Sequence, residues 1–207
     1  MKYTEVTHEV PYLMDEAQSK RPDGLHVKEV IDAMAAAHGI TNYGDSNPDW
    51  LKEAGELGLM WEGHMIHRMG LLRVEPIQLD GLWCSPDAVD DTGKIHEFKV
   101  KWMSVNKHPL DSEKWWPEMA QIKAYCHVSD IKVAELHVMF VNGDYKFKNT
   151  ETGFPAIRHY QLEFTDIELL ENWDSITRFA RNMEASREEE VQEIANKARV
   201  EVSHDKE

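Results

Sequence analysis

The stretch SPDAVDDTGKIHEFKVK, residues 85–101, puts charged side chains where the chain should be building its core. DDTG (90–93) is a turn, and KIHEFKVKW after it reads as a strand. Side chains alternate along a strand. Ile95, Glu97, Lys99 and Lys101 therefore share one face, and His96, Phe98, Val100 and Trp102 share the other. Asp87 ends the preceding strand, and the turn brings it alongside Glu97. Two carboxylates converging at a strand end make a hard-oxygen site suited to Mg2+ or Mn2+, and the backbone carbonyl of Phe98 can add an oxygen. Lys99 beside them can hold or activate a water and steady charge on a phosphate. That arrangement suits metal-dependent phosphodiester cleavage. The bland alternative is a charged surface hairpin, because Asp…Glu-x-Lys alone is a weak pattern.

Two further spacings bear on the choice. In Gly58-x-x-x-Glu62, Glu62 sits mid-helix beside Trp61 and Met65, near the buried side. A half-buried Glu needs a partner, which a metal can be. An exposed Glu62 beside His67 or Arg68 is the other reading. In Gln121-x-x-x-Tyr125, two polar groups share a helix face. They can hold a phosphate or a nucleic-acid end, or be a surface Gln and a core Tyr.

Elsewhere the chain alternates helices and strands. HVKEVIDAMAAAHGI (26–40) is a helix stopped by Gly39. Asn47-Pro48 start a second, with Leu51, Ala54, Gly58, Trp61, Met65 and Met69 along one side. PIQL and LWCSPD are strands around an Asp80-Gly81 turn. SEKWWPEMAQIKAYCHV is helical, VAELHVMFV is a strand ending at an Asn142-Gly143 turn, and RHYQLEF is another strand. TDIE opens a last helix through a capping box of Thr165 and Glu168, with Ile167, Leu170, Trp173, Ile176 and Met183 on its apolar side. Residues 184–207 are charged and extend this helix or form a tail.

The bulk numbers fit a globular protein. In 207 residues, 42% are hydrophobic and 29% charged. No apolar run approaches the roughly 18 residues of a membrane span. The N-terminus lacks a signal-peptide core. With two cysteines, Cys84 and Cys126, the expectation is a reducing cytoplasm without a disulfide. The net charge of −15 speaks against general nucleic-acid affinity. The exception is residues 94–132, where 7 Lys+Arg against 5 Asp+Glu give +2. Lys99, Lys101, Lys107, Lys114 and Lys123 lie there. His64 and His67 lack a third ligand at zinc-like spacing and read as surface or packing residues. Trp115 and Trp116 read as core or interface residues, with base stacking the minority reading.

In order, Gly-x-x-x-Glu, SPD, Glu-x-Lys and Gln-x-x-x-Tyr resemble the PD-(D/E)XK nucleases, and within them the lambda exonuclease and RecB-like, YqaJ-type viral recombinase branch. The match runs from about Gly58 to Tyr125, roughly a third of the chain. The resemblance implies an α/β, restriction-endonuclease-like PD-(D/E)XK core, a mixed central β-sheet flanked by helices, with a C-terminal helix. It implies one nuclease domain over 1–207, with its core at about 26–183. Asp87, Glu97 and the Phe98 carbonyl would hold two ions of Mg2+ or Mn2+, with Glu62 an accessory acid. Lys99 would be the catalytic lysine, and Gln121, Tyr125 and Lys101 would meet the substrate. The implied activity is a lambda-type exonuclease on linear double-stranded DNA ends, in recombination or DNA processing. The implied setting is a bacterial or phage-infected cell, with a ring trimer and a single-strand annealing protein as partners. Ala88 departs from the family's SPDG. Asp80 competes with Asp87 as the metal ligand, but Asp80-Gly81 already explains itself as a turn. The rivals are a structure-specific or nicking endonuclease of the same fold, and a non-catalytic acidic binding protein on a nuclease scaffold.

Overall fold

The computed structural model describes residues 22–40, 48–102, 110, 113–141 and 156–204. Lys107, Asn47 and the Asn142-Gly143 turn lie outside the described residues. The order is α1 (Val27–Ala37), α2 (Pro48–Met69), β1 (Ile77–Leu79), β2 (Leu82–Cys84), β3 (Ala88–Val89), β4 (Ile95–Lys101), a 3-10 turn (Glu113–Trp115), α3 (Trp116–Val128), β5 (Val133–Phe140), β6 (Ala156–Glu163) and α4 (Asp166–His204). The main sheet runs β3-β4-β5-β6. The β4–β5 pair is parallel, which requires a crossover, and α3 lies on it. The β3–β4 and β5–β6 pairs are antiparallel. The sheet is therefore mixed and flanked by helices, as expected.

One face of the sheet carries the larger core. Ile95, Ala134, Leu136, Val138 and Phe140 meet Val30 and Ile31 of α1, Ile122 of α3, and Trp173 and Ile176 of α4. The other face is covered near β4 by α2, through Ile66 against Phe98 and Ala88, with Trp61, Met65 and Leu71 beside them. The apolar stripe of α2 departs from expectation at its end. Ile66 is its anchor, while Met69 sits at the helix terminus, more than a third exposed, before Gly70 at φ 67°. The stripe of α4 is also rotated. Leu169, Trp173, Ile176 and Ala180 are buried, whereas Ile167 and Leu170 face solvent. Leu169 lies one helical turn before Trp173, where a 3.6-residue period places it.

Asp80 (φ 49°) and Gly81 (φ 84°) form the two-residue β1–β2 turn, with Leu79 opposite Leu82. The Asp80 carboxylate accepts a hydrogen bond from Trp173 Nε1 at 2.8 Å, so it ties this hairpin to α4. LWCSPD is not one strand. Pairing stops at Cys84 and resumes at Ala88, with Pro86 between. Proline offers no N–H to a ladder. This break frees Asp87 from a strand position and turns its side chain toward β4.

The capping box of α4 is formed. Glu168 N–H donates to Thr165 Oγ1 at 3.3 Å, and Thr165 N–H donates to Glu168 Oε2 at 2.9 Å. Thr165→Ala is expected to lower stability by about 1 kcal/mol, seen as a lower urea midpoint at unchanged slope. Among the described residues no helix is long and apolar enough to cross a membrane.

Candidate active site

Strand β4 supplies the centre of the site. Glu97 is fully buried, and Lys99 Nζ donates to its Oε1 at 2.5 Å. Asp87 reaches β4 from the break before β3, and its Oδ2 accepts the Phe98 N–H at 2.8 Å. Helix α2 brings Glu62, whose Oε1 accepts from Arg73 Nη1 at 2.7 Å. The bridge between Leu72 and Val89 places the neighbouring Arg73 beside β3. The structure thus gathers Asp87, Glu97, Glu62 and Lys99, three carboxylates against one lysine and one arginine.

The electrostatics follow from crowding acids in a dry place. Burial, then the charge of Asp87, pushes Glu97 up to about 8, even with Lys99 bonded to it. Burial and Asp87 push Glu62 up to about 7, with Arg73 opposing. Burial raises Asp87 as well, against Lys99 and the Phe98 N–H. For Lys99, burial works against the charge, but Glu97 and Asp87 outweigh it and hold the ammonium protonated. Glu97 Oε2 is buried with no hydrogen-bond partner among the described residues. A buried carboxylate oxygen without a donor is costly. A divalent cation, which attracts all three carboxylates, fits that position and this donor set.

Beyond Lys99 the same face opens into a cavity of about 90 Å3, bordered by Lys99, Lys101, Glu118, Gln121, Lys28 and Asp32. Lys101 Nζ donates to Glu118 Oε1 and lies 5.1 Å from the Trp115 ring centroid. Gln121 Nε2 donates to the Tyr125 hydroxyl at 2.6 Å. Tyr125 is 3% exposed, so it stands behind Gln121 and orients it. Lys123 lies elsewhere, 5.5 Å from the Phe164 ring and beside Glu168. Lys114 is exposed on the 3-10 turn. Of the basic residues expected to line the site, Lys99 and Lys101 border the cavity.

Other acids are otherwise engaged. Asp90 Oδ1 accepts from Thr92 Oγ1 at 2.6 Å, Thr92 N–H at 2.9 Å and Lys94 N–H at 3.0 Å. The Thr92 hydroxyl leads these contacts in holding Asp90 near 2. His64 and His67 are exposed. Trp115 is a core residue, edge-on to Phe140. Cys84 and Cys126 are buried free thiols, pushed up to about 12 by burial.

Sequence reasoning missed Arg73 and Glu118. Glu118 had a signal, since it precedes Gln121 by three on one helix face. Arg73 had none, because only the β3 bridge brings it to Glu62.

No family model matches the sequence, and no curated protein matches it. Solved structures do. An alkaline exonuclease from Laribacter hongkongensis, LHK-Exo, superposes with a TM-score of 0.52 at 14% identity, over 87% of this chain and 98% of that one. LHK-Exo in complex with dAMP gives 0.50 at 13% identity, over 84% and 94%. A phage-related exonuclease from Haemophilus somnus 129PT gives 0.45 at 14% identity, over 75% and 79%. Identity at this level speaks to the fold, and this chain folds as the Laribacter alkaline exonuclease does.

Proposed function

We propose that this protein is a divalent-metal-dependent deoxyribonuclease, a lambda-type exonuclease acting on the ends of linear double-stranded DNA. The observation that carries the reading is Glu97. A fully buried carboxylate with one oxygen unpartnered among the described residues, close to Asp87 and Glu62 and bonded to Lys99, is explained by a cation. Asp87 and Glu97 would hold Mg2+ or Mn2+, with the Phe98 carbonyl and Glu62 completing the oxygen set. A bound ion supplies Lewis-acid stabilisation of charge developing on the phosphate.

The chain's own residues do the rest. Lys99 presents an ammonium beside the two carboxylates, where it can orient the attacking water and stabilise charge on phosphate oxygen. Arg73 holds Glu62 in place across the site. Gln121, fixed by Tyr125, and Lys101 offer donors in the cavity next to Lys99, where a DNA phosphate can lodge. Hydrolysis adds water at phosphorus and releases one ester oxygen of the strand. The reading extends to a single nuclease domain, a homo-oligomeric ring and a strand-annealing partner, each supported by the resemblance of the sequence to the lambda branch.

End-labelled linear duplex and closed circular plasmid, each with Mg2+, Mn2+ or EDTA, test the reading. Loss of the linear DNA alone is expected, dependent on metal and absent in Asp87→Ala. Cutting of the circle would make the protein an endonuclease. Cleavage of neither, with single-stranded DNA and RNA also intact, would favour the acidic binding protein.

A further inference from the structure

The opposite face of strand β4 carries a second constellation, independent of the nuclease reading. The β4–β5 register sets His96 opposite Glu135 and Phe98 opposite His137. The β5–β6 register sets His159 opposite His137. By alternation, these side chains lie on the face away from Glu97 and Lys99. We propose that His96, Glu135 and His137 form a transition-metal site, for Zn2+ or Co2+, which clamps the two central strands.

The geometry supports an ion of that class. His96 Nδ1 lies 3.0 Å from His137 Nε2 and 3.7 Å from Glu135 Oε2, and His137 Nε2 lies 3.8 Å from Glu135 Oε2. Tetrahedral ligands at zinc bond lengths are about 3.3 Å apart, within the range of those three edges. Two imidazoles and a carboxylate suit Zn2+ or Co2+ and not Mg2+. The two faces of one strand would thus select different metals.

Outer contacts aim the ligands inward. His96 Nε2 faces Asp90 Oδ2 at 3.4 Å, and Asp90 is itself fixed by its turn. A proton on Nε2 leaves Nδ1 as the inward lone pair. Lys94 Nζ holds Glu135 Oε1 at 2.7 Å, leaving Oε2 toward the histidines. Such carboxylate–histidine support is the usual outer shell of a metal site. His159 Nε2 touches Glu135 Oε2 at 2.7 Å from a half-exposed position, so the site borders solvent. The proton between the two rings then sits on His137 Nε2, and as an ion enters His137 exchanges it through water for one on Nδ1, a change of tautomer that releases no net proton.

The test is titration of the untagged, EDTA-treated and dialysed full chain with Co2+, in excess Mg2+, read by visible absorption. One equivalent of tetrahedral cobalt is expected, together with a higher Tm in Zn2+. The band should persist in Asp87→Asn and vanish at the same cobalt concentration in His137→Asn and Glu135→Gln. Asp90→Asn should weaken binding by about 10-fold. The Glu135 variant keeps side-chain shape and serves should the His137 variant fail to fold. No cobalt band in the wild type, or a band lost in Asp87→Asn but kept in Glu135→Gln, would overturn the proposal and leave a hydrogen-bonded histidine cluster.

Discussion

Lys99→Ala is expected to slow metal-dependent hydrolysis of linear duplex DNA by about 10²- to 10⁴-fold. The side chain sits between two environments. Its Nζ is bonded to buried Glu97, while the residue borders the cavity that contains Lys101 and Gln121. Held as an ammonium by Glu97 and Asp87, it is a charge in a place that admits little water. Such a group counts for more there than in bulk solvent. Truncation would remove a group that lowers the Glu97 pKa, so a carboxyl already raised to about 8 would keep its proton at pH 7 and stay neutral. The variant should therefore fold, as a melting curve in EDTA can verify. Lys99→Arg should recover little, because a planar guanidinium cannot occupy a point-charge position. Single-turnover cleavage at saturating protein separates the chemical step from binding. A rate within twofold of wild type would remove Lys99 from the mechanism.

Glu97→Gln should act in opposite directions on activity and stability. Loss of a metal-ligating carboxylate should reduce cleavage by 10³-fold or more, on the order of 4 kcal/mol of lost stabilisation. In EDTA, the same change should make the protein more stable above neutral pH. The folded pKa of about 8 lies above the ordinary 4.5. Between those values the folded chain keeps a proton that the unfolded chain has lost. Wild-type stability should thus fall as pH rises from about 5 to about 8, by on the order of a few kcal/mol. Glu62, raised to about 7 by burial and Asp87, contributes with the same sign. Glutamine cannot ionise, so the variant should show a flatter profile. Urea unfolding at pH 5, 7 and 8.5, with EDTA and then with Mn2+, measures both. Wild-type stability that holds or rises over this window would show that the acids are not buried together. Mn2+ should stabilise the wild type most at the high end, where protons compete least.

The sequence made the centre of this site readable because its relations are local. Glu97 and Lys99 obey the two-residue period of a strand, and one turn returns Asp87 to them. Asp80-Gly81 and the Thr165–Glu168 box were readable for the same reason. Where the chain had to be folded first, reading stopped. Arg73 reaches Glu62 only through the Leu72–Val89 bridge. His96 and His137 are 41 residues apart and meet only once a parallel pairing fixes their register. Ile167 and Leu170 of α4 face solvent despite their helical spacing, because apolar spacing alone does not say which flank of a helix meets its neighbour. Pro86 stands in plain view in the sequence, but its effect depends on where the ladder around it pairs. It splits the expected LWCSPD strand and lets Asp87 aim at the Phe98 amide.

The two-faced use of β4 carries a consequence for how this gene can vary. Inserting or deleting one residue between Ile95 and Glu97 would exchange the faces beyond that point, presenting Phe98 to the acid pocket and Glu97 to the opposite face. No single substitution could repair that. Length changes in this seven-residue strand should therefore be purged from any library selected for folding, while amino-acid replacements at Val100 survive.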